Sequence, residues 1–309
     1  MSSSSETPLP KVCVIVVHYM GEELTRECLK SLKKSNYTEL EIILVDNNSP
    51  DRAGERLHKE FPGTGFIKLE ENRGYTGGAN AGFRVGMKGE AKYILLLNND
   101  TVCEPDMIPN LVEAGEDNPG AGMLSPKILY FEPKDHIWYA GGSYSLYLGR
   151  PHHYRKGKPE REKTGAPKKV TYLTGCAPMI KREALEETGL LDESLFHIAE
   201  DLDLCLRMKK AEYDLIYVPE ARLYHKESIA TIKKFGSDAQ LYLATRNMLT
   251  VHRKHSRFYH DIIFYPWFTV RWFLYQSIKH LAAGRPKMIK SLIHAGSDFL
   301  KGKPGPPEL

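Results

Sequence analysis

The 309-residue sequence has no CxxC pair; its five cysteines, Cys13, Cys28, Cys103, Cys176 and Cys205, are scattered and sit mostly among apolar neighbours. That spacing argues against a zinc ribbon or a disulfide framework and for buried reduced thiols in a reducing, cytoplasmic setting. The opening Met-Ser-Ser-Ser-Ser-Glu-Thr-Pro lacks both a basic stretch and an apolar core, so residues 1–10 read as a disordered tail and not as a signal peptide. The densest aromatic stretch, 258–283, is interrupted by Pro266 and Arg271 and falls short of the roughly 20 apolar residues that span a bilayer. Net charge is low too, at +4. It is unevenly placed: from Arg246 onward Lys and Arg outnumber Asp and Glu eleven to three, so the basic character belongs to the C-terminal region. Combined with the aromatics there, this favours an anionic lipid surface over nucleic acid, and no nucleic-acid partner is expected.

What is present is an ordinary globular balance, 41% hydrophobic and 27% charged, enough for a sizeable core. Apolar runs of buried-strand type at 12–17, 42–45, 65–69 and 93–97 alternate with helical patterns. The first has Leu24, Cys28, Leu29 and Leu32 at helical spacing; the others cover 52–61 and the small-residue stretch 78–87. Such alternation predicts an α/β fold with a mostly parallel sheet flanked by helices. His18-Tyr19-Met20-Gly21 stands where a dinucleotide-binding GxGxxG belongs, which removes the main support for a nicotinamide enzyme. Beyond Asp100 the pattern predicts a helix over 105–116, a strand over 122–130, and Gly- and Tyr-rich strand pieces over 137–148. A basic segment follows at 150–169, readable as a surface loop or as a mobile lid over a phosphate-bearing substrate. A strand at 170–173, a helix at 181–187 and a charged helix opening at Glu200-Asp201, with Asp203 and Arg207 as an i,i+4 ion pair, complete this part.

The chemistry concentrates at strand ends. Leu95-Leu96-Leu97 stops abruptly at Asn98-Asn99-Asp100, and Ile42-Ile43-Leu44-Val45 stops at Asp46-Asn47-Asn48. Open α/β sheets bind ligands at the carboxyl ends of their strands, so these polar ends point to one shared ligand edge, with an oxygen ligand for a hard divalent cation. Glu200 and Asp201, at a helix start, are favoured as ionised carboxylates by the helix dipole.

In order along the chain, Val14-Ile-Val-Val-His-Tyr19, Val45-Asp-Asn-Asn-Ser49, Glu71-Asn-Arg-Gly-Tyr-Thr-Gly-Gly-Ala-Asn80, Leu97-Asn-Asn-Asp-Thr101, Thr174-Gly-Cys-Ala177, Glu200-Asp-Leu-Asp-Leu-Cys-Leu-Arg207 and Val218-Pro-Glu-Ala-Arg-Leu-Tyr-His225 resemble family 2 glycosyltransferases, rhamnosyltransferase-like branch. The resemblance implies a GT-A fold, a nucleoside-diphosphate-sugar donor with UDP or dTDP favoured, a Mg2+ or Mn2+ ion, and inversion at the anomeric carbon. It implies that Asp46 bonds the nucleotide, that Asn72, Gly74 and Asn80 line the nucleotide site, and that Asn98 and Asn99 replace the first part of the family's Asp-x-Asp. Asp100 becomes the principal metal ligand, His225 a ligand of the metal or diphosphate, Asp201 the general base, and Glu200 a group that orients the acceptor. Arg246-Asn247 matches a Tyr-rich helix of the family and has two readings, a diphosphate contact or a packing role.

The domain division that follows is a tail at 1–10, a GT-A catalytic domain at 11–245 and a C-terminal amphipathic helical extension at 246–309. The extension is expected to lie on the inner membrane face or to dock on a partner such as a second copy, with Trp267, Trp272 and Phe273 at the interface and Lys279, Arg285, Lys287 and Lys290 toward headgroups. The expected activity is transfer of a hexose or deoxyhexose to a surface-glycan or lipid-linked saccharide. Two alternatives stand beside it: a catalytically silent glycan- or lipid-binding scaffold, and a sugar-1-phosphate nucleotidyltransferase, whose Gly-rich basic N-terminal loop this sequence lacks. The whole reading requires Asp46, Asp100 and Asp201 to face one cleft.

Overall fold

The computed structural model of the protein describes residues 8–161, 165–226 and 229–306. Residues 1–7 of the expected tail lie outside that range; Pro10 is already tied down, its carbonyl accepting the Tyr37 hydroxyl. The first half is the predicted alternation: β1 (Val12–His18), α1 (Glu22–Leu32), β2 (Leu40–Asp46), α2 (Ala53–Glu60), β3 (Gly65–Lys68), α3 (Gly74–Gly86) and β4 (Tyr93–Asn98). β1 pairs parallel with β2 and β4, and β2 with β3, so all four carboxyl ends share one rim.

Helix α3 starts earlier than its sequence pattern suggests, because Gly74 and Tyr75 already belong to it. Its glycines let it lie against β1: a Cβ on Gly82 would meet Ile15 at 2.3 Å, one on Gly78 would meet Val17 at 2.8 Å, and one on Gly86 would meet the Cys13 sulfur at 2.9 Å. All five cysteines are free and buried, in line with the sequence reading.

The second half supplies β5 (Thr101–Cys103), α4 (Met107–Asp117), β6 (Ala121–Tyr130), β7 (Ile137–Tyr139), β8 (Gly142–Ser143), β9 (His152–His153), β10 (Lys168–Val170), β11 (Met179–Lys181), α5 (Arg182–Thr188), α6 (Glu200–Lys210) and β12 (Asp214–His225). The main sheet runs β10-β12-β6-β11-β4-β1-β2-β3, with β5 on β12 and β7 on β6. Two strands that shape the site were not legible in the sequence. β5 and β11 are three residues each, too short to show a period. Both matter: β11 is antiparallel to β4 and β6, so the residues entering it, Thr174 to Cys176, arrive at the rim where β4 ends, and Asn98 N donates to Cys176 O at 2.9 Å.

The basic segment 150–169 is strapped down along its described part. β9 pairs with β8, Glu160 N donates to Asp135 O, and β10 pairs with β12. Glu160 is buried, with Lys127 Nζ at 2.9 Å on one oxygen and Arg222 Nη2 at 2.8 Å on the other. The described part of this wall is therefore anchored to the sheet. Removing the anion that stands between two buried cations leaves positive charge poorly compensated in low dielectric, so Glu160→Ala is expected to cost about 3–5 kcal/mol in urea unfolding.

The chain closes with α7 (Ile229–His255), α8 (Phe258–Phe268), a π-helical turn (Thr269–Leu274), α9 (Tyr275–Ala282) and α10 (Pro286–Lys301). The 245/246 division falls inside α7, so the extension continues a helix of the preceding region and does not begin at a linker. Asp203 fastens α7 to α6: besides Arg207 Nε at 2.8 Å, it holds Lys254 Nζ at 2.9 Å and His255 Nε2 at 2.8 Å. Burial alone would raise the Asp203 carboxyl, but the His255 hydrogen bond and the charges of Arg207 and Lys254 hold it well below the usual range.

Candidate active site

Beside the ends of β1 and β4 lies a cavity of about 510 Å³, lined by residues from both halves of the chain. Its first chemical feature comes from strand pairing. Asp100 sits between β4 and β5, and β5 runs antiparallel to the end of β12, setting His225 opposite Thr101. The two side chains meet as a result: His225 Nε2 is 3.1 Å from Asp100 Oδ1, both residues are buried, and both line the cavity. Trp138 stands edge-on to the imidazole at 4.6 Å.

These two donors fit a small divalent cation. An oxygen and a nitrogen about 3 Å apart suit neighbouring positions on an ion with bonds of roughly 2.0–2.2 Å. His225 Nδ1 is buried with no hydrogen-bond partner, so no second-shell contact fixes its tautomer. Among the described residues no group of three or more His, Cys, Asp or Glu is gathered to hold a metal. An ion here would draw its other ligands from substrate oxygens and water, as Mg2+ commonly does.

The second feature is the carboxylate pair at the start of α6. Asp201 Oδ2 accepts from the Tyr172 hydroxyl at 2.7 Å and from Gly175 N at 2.8 Å, and Oδ1 accepts from Leu202 N at 2.7 Å. Gly175 has to be small, because a Cβ there would stand 3.2 Å from Asp201 Cβ. Glu200 is buried beside it, and its Oε2 has no hydrogen-bond partner. Burial and then the Asp201 charge push the Glu200 carboxyl up to about 8. Burial raises Asp201 as well, opposed by its three donors. Burial and Asp201 together keep the Tyr172 hydroxyl protonated far above its ordinary range, so it remains a donor. With three donors on Asp201 and none on Glu200 Oε2, the shared proton of the pair favours Glu200 and the charge favours Asp201.

The loop before α6 is unusual. Phe196, Ile198 and Ala199 all have left-handed backbone, with φ of 62°, 72° and 72°. Each such residue costs of order 1–3 kcal/mol and persists only where its surroundings dictate it. α3 holds one side: Gly74, at φ 72°, leaves room for the Phe196 carbonyl, which a Cβ would meet at 2.4 Å. α7 holds the other, through Asn247 Nδ2 to the carbonyls of Leu195, His197 and Ile198 at 2.8, 2.8 and 2.7 Å. Arg246, also buried, donates to the carbonyls of Ser194, Leu195 and Gly305. The packing alternative for Arg246-Asn247 is therefore the one realised, and neither residue lines the cavity.

Eight of the ten site residues predicted from sequence line this one cavity: Asn72, Gly74, Asn98, Asn99, Asp100, Glu200, Asp201 and His225. Asp46 and Asn80 do not. Asp46 is buried at the end of β2, where Oδ1 accepts from Ser49 N at 2.8 Å and the side chain packs on Gly54. Asn80 faces the 191–193 segment, accepting from Leu191 N and donating to Leu191 O and Glu193 Oε1, which uses its amide fully. Of the three carboxyls required to converge, Asp100 and Asp201 do so, and Asp46 is displaced by its neighbour Asn47. That amide lines the cavity and ties down the turn before α3 by donating to Asn72 Oδ1 and Gly74 O. Tyr172 and His153 were also missed. Tyr172 left only a trace, as an aromatic ending an apolar run just before Thr174-Gly175. His153, pushed down to about 4 by burial, is a neutral wall residue.

Similarity to known proteins agrees with this geometry. The sequence model of Glycosyl transferase family 2 matches residues 13–189. The chain is 26% identical over 260 residues to the N-acetylglucosaminyl-diphospho-decaprenol L-rhamnosyltransferase of Mycobacterium tuberculosis, a span of 77% of this chain and 81% of that protein. Among solved structures, S. aureus TarS 1-349 in complex with UDP-GlcNAc aligns with a TM-score of 0.62 at 17% identity, over 95% of this chain and 82% of that one. The mannosyltransferase PcManGT from Pyrobaculum calidifontis, in complex with GDP-Man and Mn2+, aligns with a TM-score of 0.55 at 17% identity, over 96% and 76%. The structural likenesses show the fold, which is GT-A with C-terminal helices.

Proposed function

The chain belongs to glycosyl transferase family 2, and from that premise we propose that it is a metal-dependent inverting enzyme moving a hexose or deoxyhexose from a UDP- or dTDP-sugar to a lipid-linked saccharide. One observation carries the reading: the Asp100–His225 pair and the Glu200–Asp201 pair, drawn from positions as far apart in sequence as 100 and 225, line the same cavity. A lipid-linked acceptor is supported by the name of the mycobacterial relative, and a nucleotide-sugar donor by the ligands of the structural neighbours.

Asn72, Gly74, Asn98 and Asn99 contact the nucleotide and diphosphate, with the first turn of α3 supplying the positive end of a helix dipole. Asp100 and His225 would hold a Mg2+ or Mn2+ ion, whose chemistry is Lewis-acid stabilisation of the departing diphosphate. Asp201 takes the proton of the attacking acceptor hydroxyl, while protonated Glu200 donates a hydrogen bond that orients the acceptor. Attack opposite the leaving group inverts the anomeric centre in one displacement.

The test is a thermal-shift series with UDP, dTDP, GDP and their sugars, each with Mn2+ or Mg2+. A ligand at 100 times its Kd adds about 2.7 kcal/mol of stability, so a selective nucleotide stands out. Asp100→Ala is expected to abolish the metal-dependent part of that shift. No shift with any nucleotide overturns the donor assignment, and a shift without release of nucleoside diphosphate in the presence of acceptor favours the silent scaffold.

A further inference from the structure

The outer face of the C-terminal helices carries a second message. Phe258, Ile262, Pro266, Val270, Leu274 and Ile278 recur at every fourth position. On a straight α-helix each such step drifts by roughly 40°, and five steps would wind the stripe more than halfway round the axis. The π-helical turn Thr269–Leu274, being wider, takes back part of that drift. The stripe is uncovered along its length: Phe258, Ile262, Val270, Leu274 and Ile278 are each between 53% and 76% exposed. The opposite side is the packed one. Phe264 and Phe268 are buried, and Trp272 is turned inward so that its Nε1 donates to Thr245 Oγ1 at 2.8 Å. Trp272 and half-buried Phe273 therefore do not face outward as their sequence context suggested.

The rim of this face is basic. Arg271 extends over the rings of Trp267 and Tyr275, and Lys279, Arg285, Lys287 and Lys290 are exposed. The acidic residue in the same helix, Asp261, is held by His252 Nε2 at 2.8 Å. No helix of the described residues is long and apolar enough to cross a membrane. We propose that this face lies flat on an anionic lipid bilayer, with the every-fourth-residue stripe inserted among the acyl-chain ends and the basic rim on the headgroups. Charge decides between the two occupants, since an isologous pair of copies would set one basic rim against the other. The inference deepens the lipid-linked reading of the acceptor, but its test reads vesicle binding and not transfer, so either can fail without the other.

Flotation of the full chain with phosphatidylcholine vesicles, with and without roughly 30 mol % phosphatidylglycerol, is the experiment. The chain is expected to float with the anionic vesicles and to remain largely behind with the neutral ones. Ile262→Gln/Val270→Gln/Leu274→Gln/Ile278→Gln changes exposed positions to a good helix former and should leave the melting temperature in place while lowering vesicle binding about tenfold or more. Lys279→Glu/Lys287→Glu/Lys290→Glu should remove the preference for anionic lipid. Failure of the wild-type chain to float with anionic vesicles, or flotation of the quadruple variant equal to wild type, overturns the proposal. So does a wild-type dimer in sedimentation that ignores vesicles and becomes monomeric in the quadruple variant.

Discussion

Asp201→Asn is expected to leave nucleotide binding intact and to lower transfer by roughly 10²- to 10⁴-fold, the range over which a positioned general base contributes. The substitution keeps the shape of a side chain fixed by Tyr172, Gly175 N and Leu202 N. It removes the charge that takes the proton and presents an amide N–H where a donor already points. A pH profile separates this from a loss of fold. Tyr172→Phe deletes one hydrogen bond to the ionised carboxylate, so Asp201 should hold its proton to higher pH and the acid limb of kcat/KM should move upward. Retained turnover in Asp201→Asn, with a dead Glu200→Gln, would transfer the base role to Glu200.

A large stability effect is expected at Arg246. Its guanidinium is buried, lies over the Tyr242 ring at 5.4 Å, and is satisfied by backbone carbonyls and by Asn247 Oδ1. Arg246→Ala takes the donor from Gly305 O and Asn247 Oδ1, opens a void, and leaves Asn247 as the remaining side-chain hold from α7 on a loop with three left-handed residues. At about 1–3 kcal/mol for each buried polar group left unpaired, a loss of about 3–5 kcal/mol follows, to be read in denaturant unfolding. Arg246→Lys should recover little, because an ammonium cannot reproduce the fork that reaches several acceptors at once. A melting temperature unchanged in Arg246→Ala would remove the clamp from the account of the site.

Both residues show what could be read in the sequence and what could not. Asp201 was legible because the signal is local: two acidic residues opening a helix. Asp100 was legible for the same reason, as the polar stop of an apolar strand. The approach of His225 to Asp100 depends on β5, too short to announce itself, and entered only through the family resemblance. Arg246 was left with two readings because its partners are carbonyls some 50 residues away, and carbonyls have no sequence signature. Asp46 and Asn80 illustrate the opposite error. Each sits in a matching motif, yet local hydrogen bonds to Ser49 N and to the Leu191 backbone decide where the side chain points. The outward stripe on the C-terminal helices was hidden for a geometric reason, since a wheel drawn at one constant pitch misplaces residues beyond a π-helical turn.

Trp272 bonds to Thr245, and the next residue is Arg246. The outer helix and the residue that clamps the loop in front of Glu200 are thus joined through one hydrogen bond and one peptide unit.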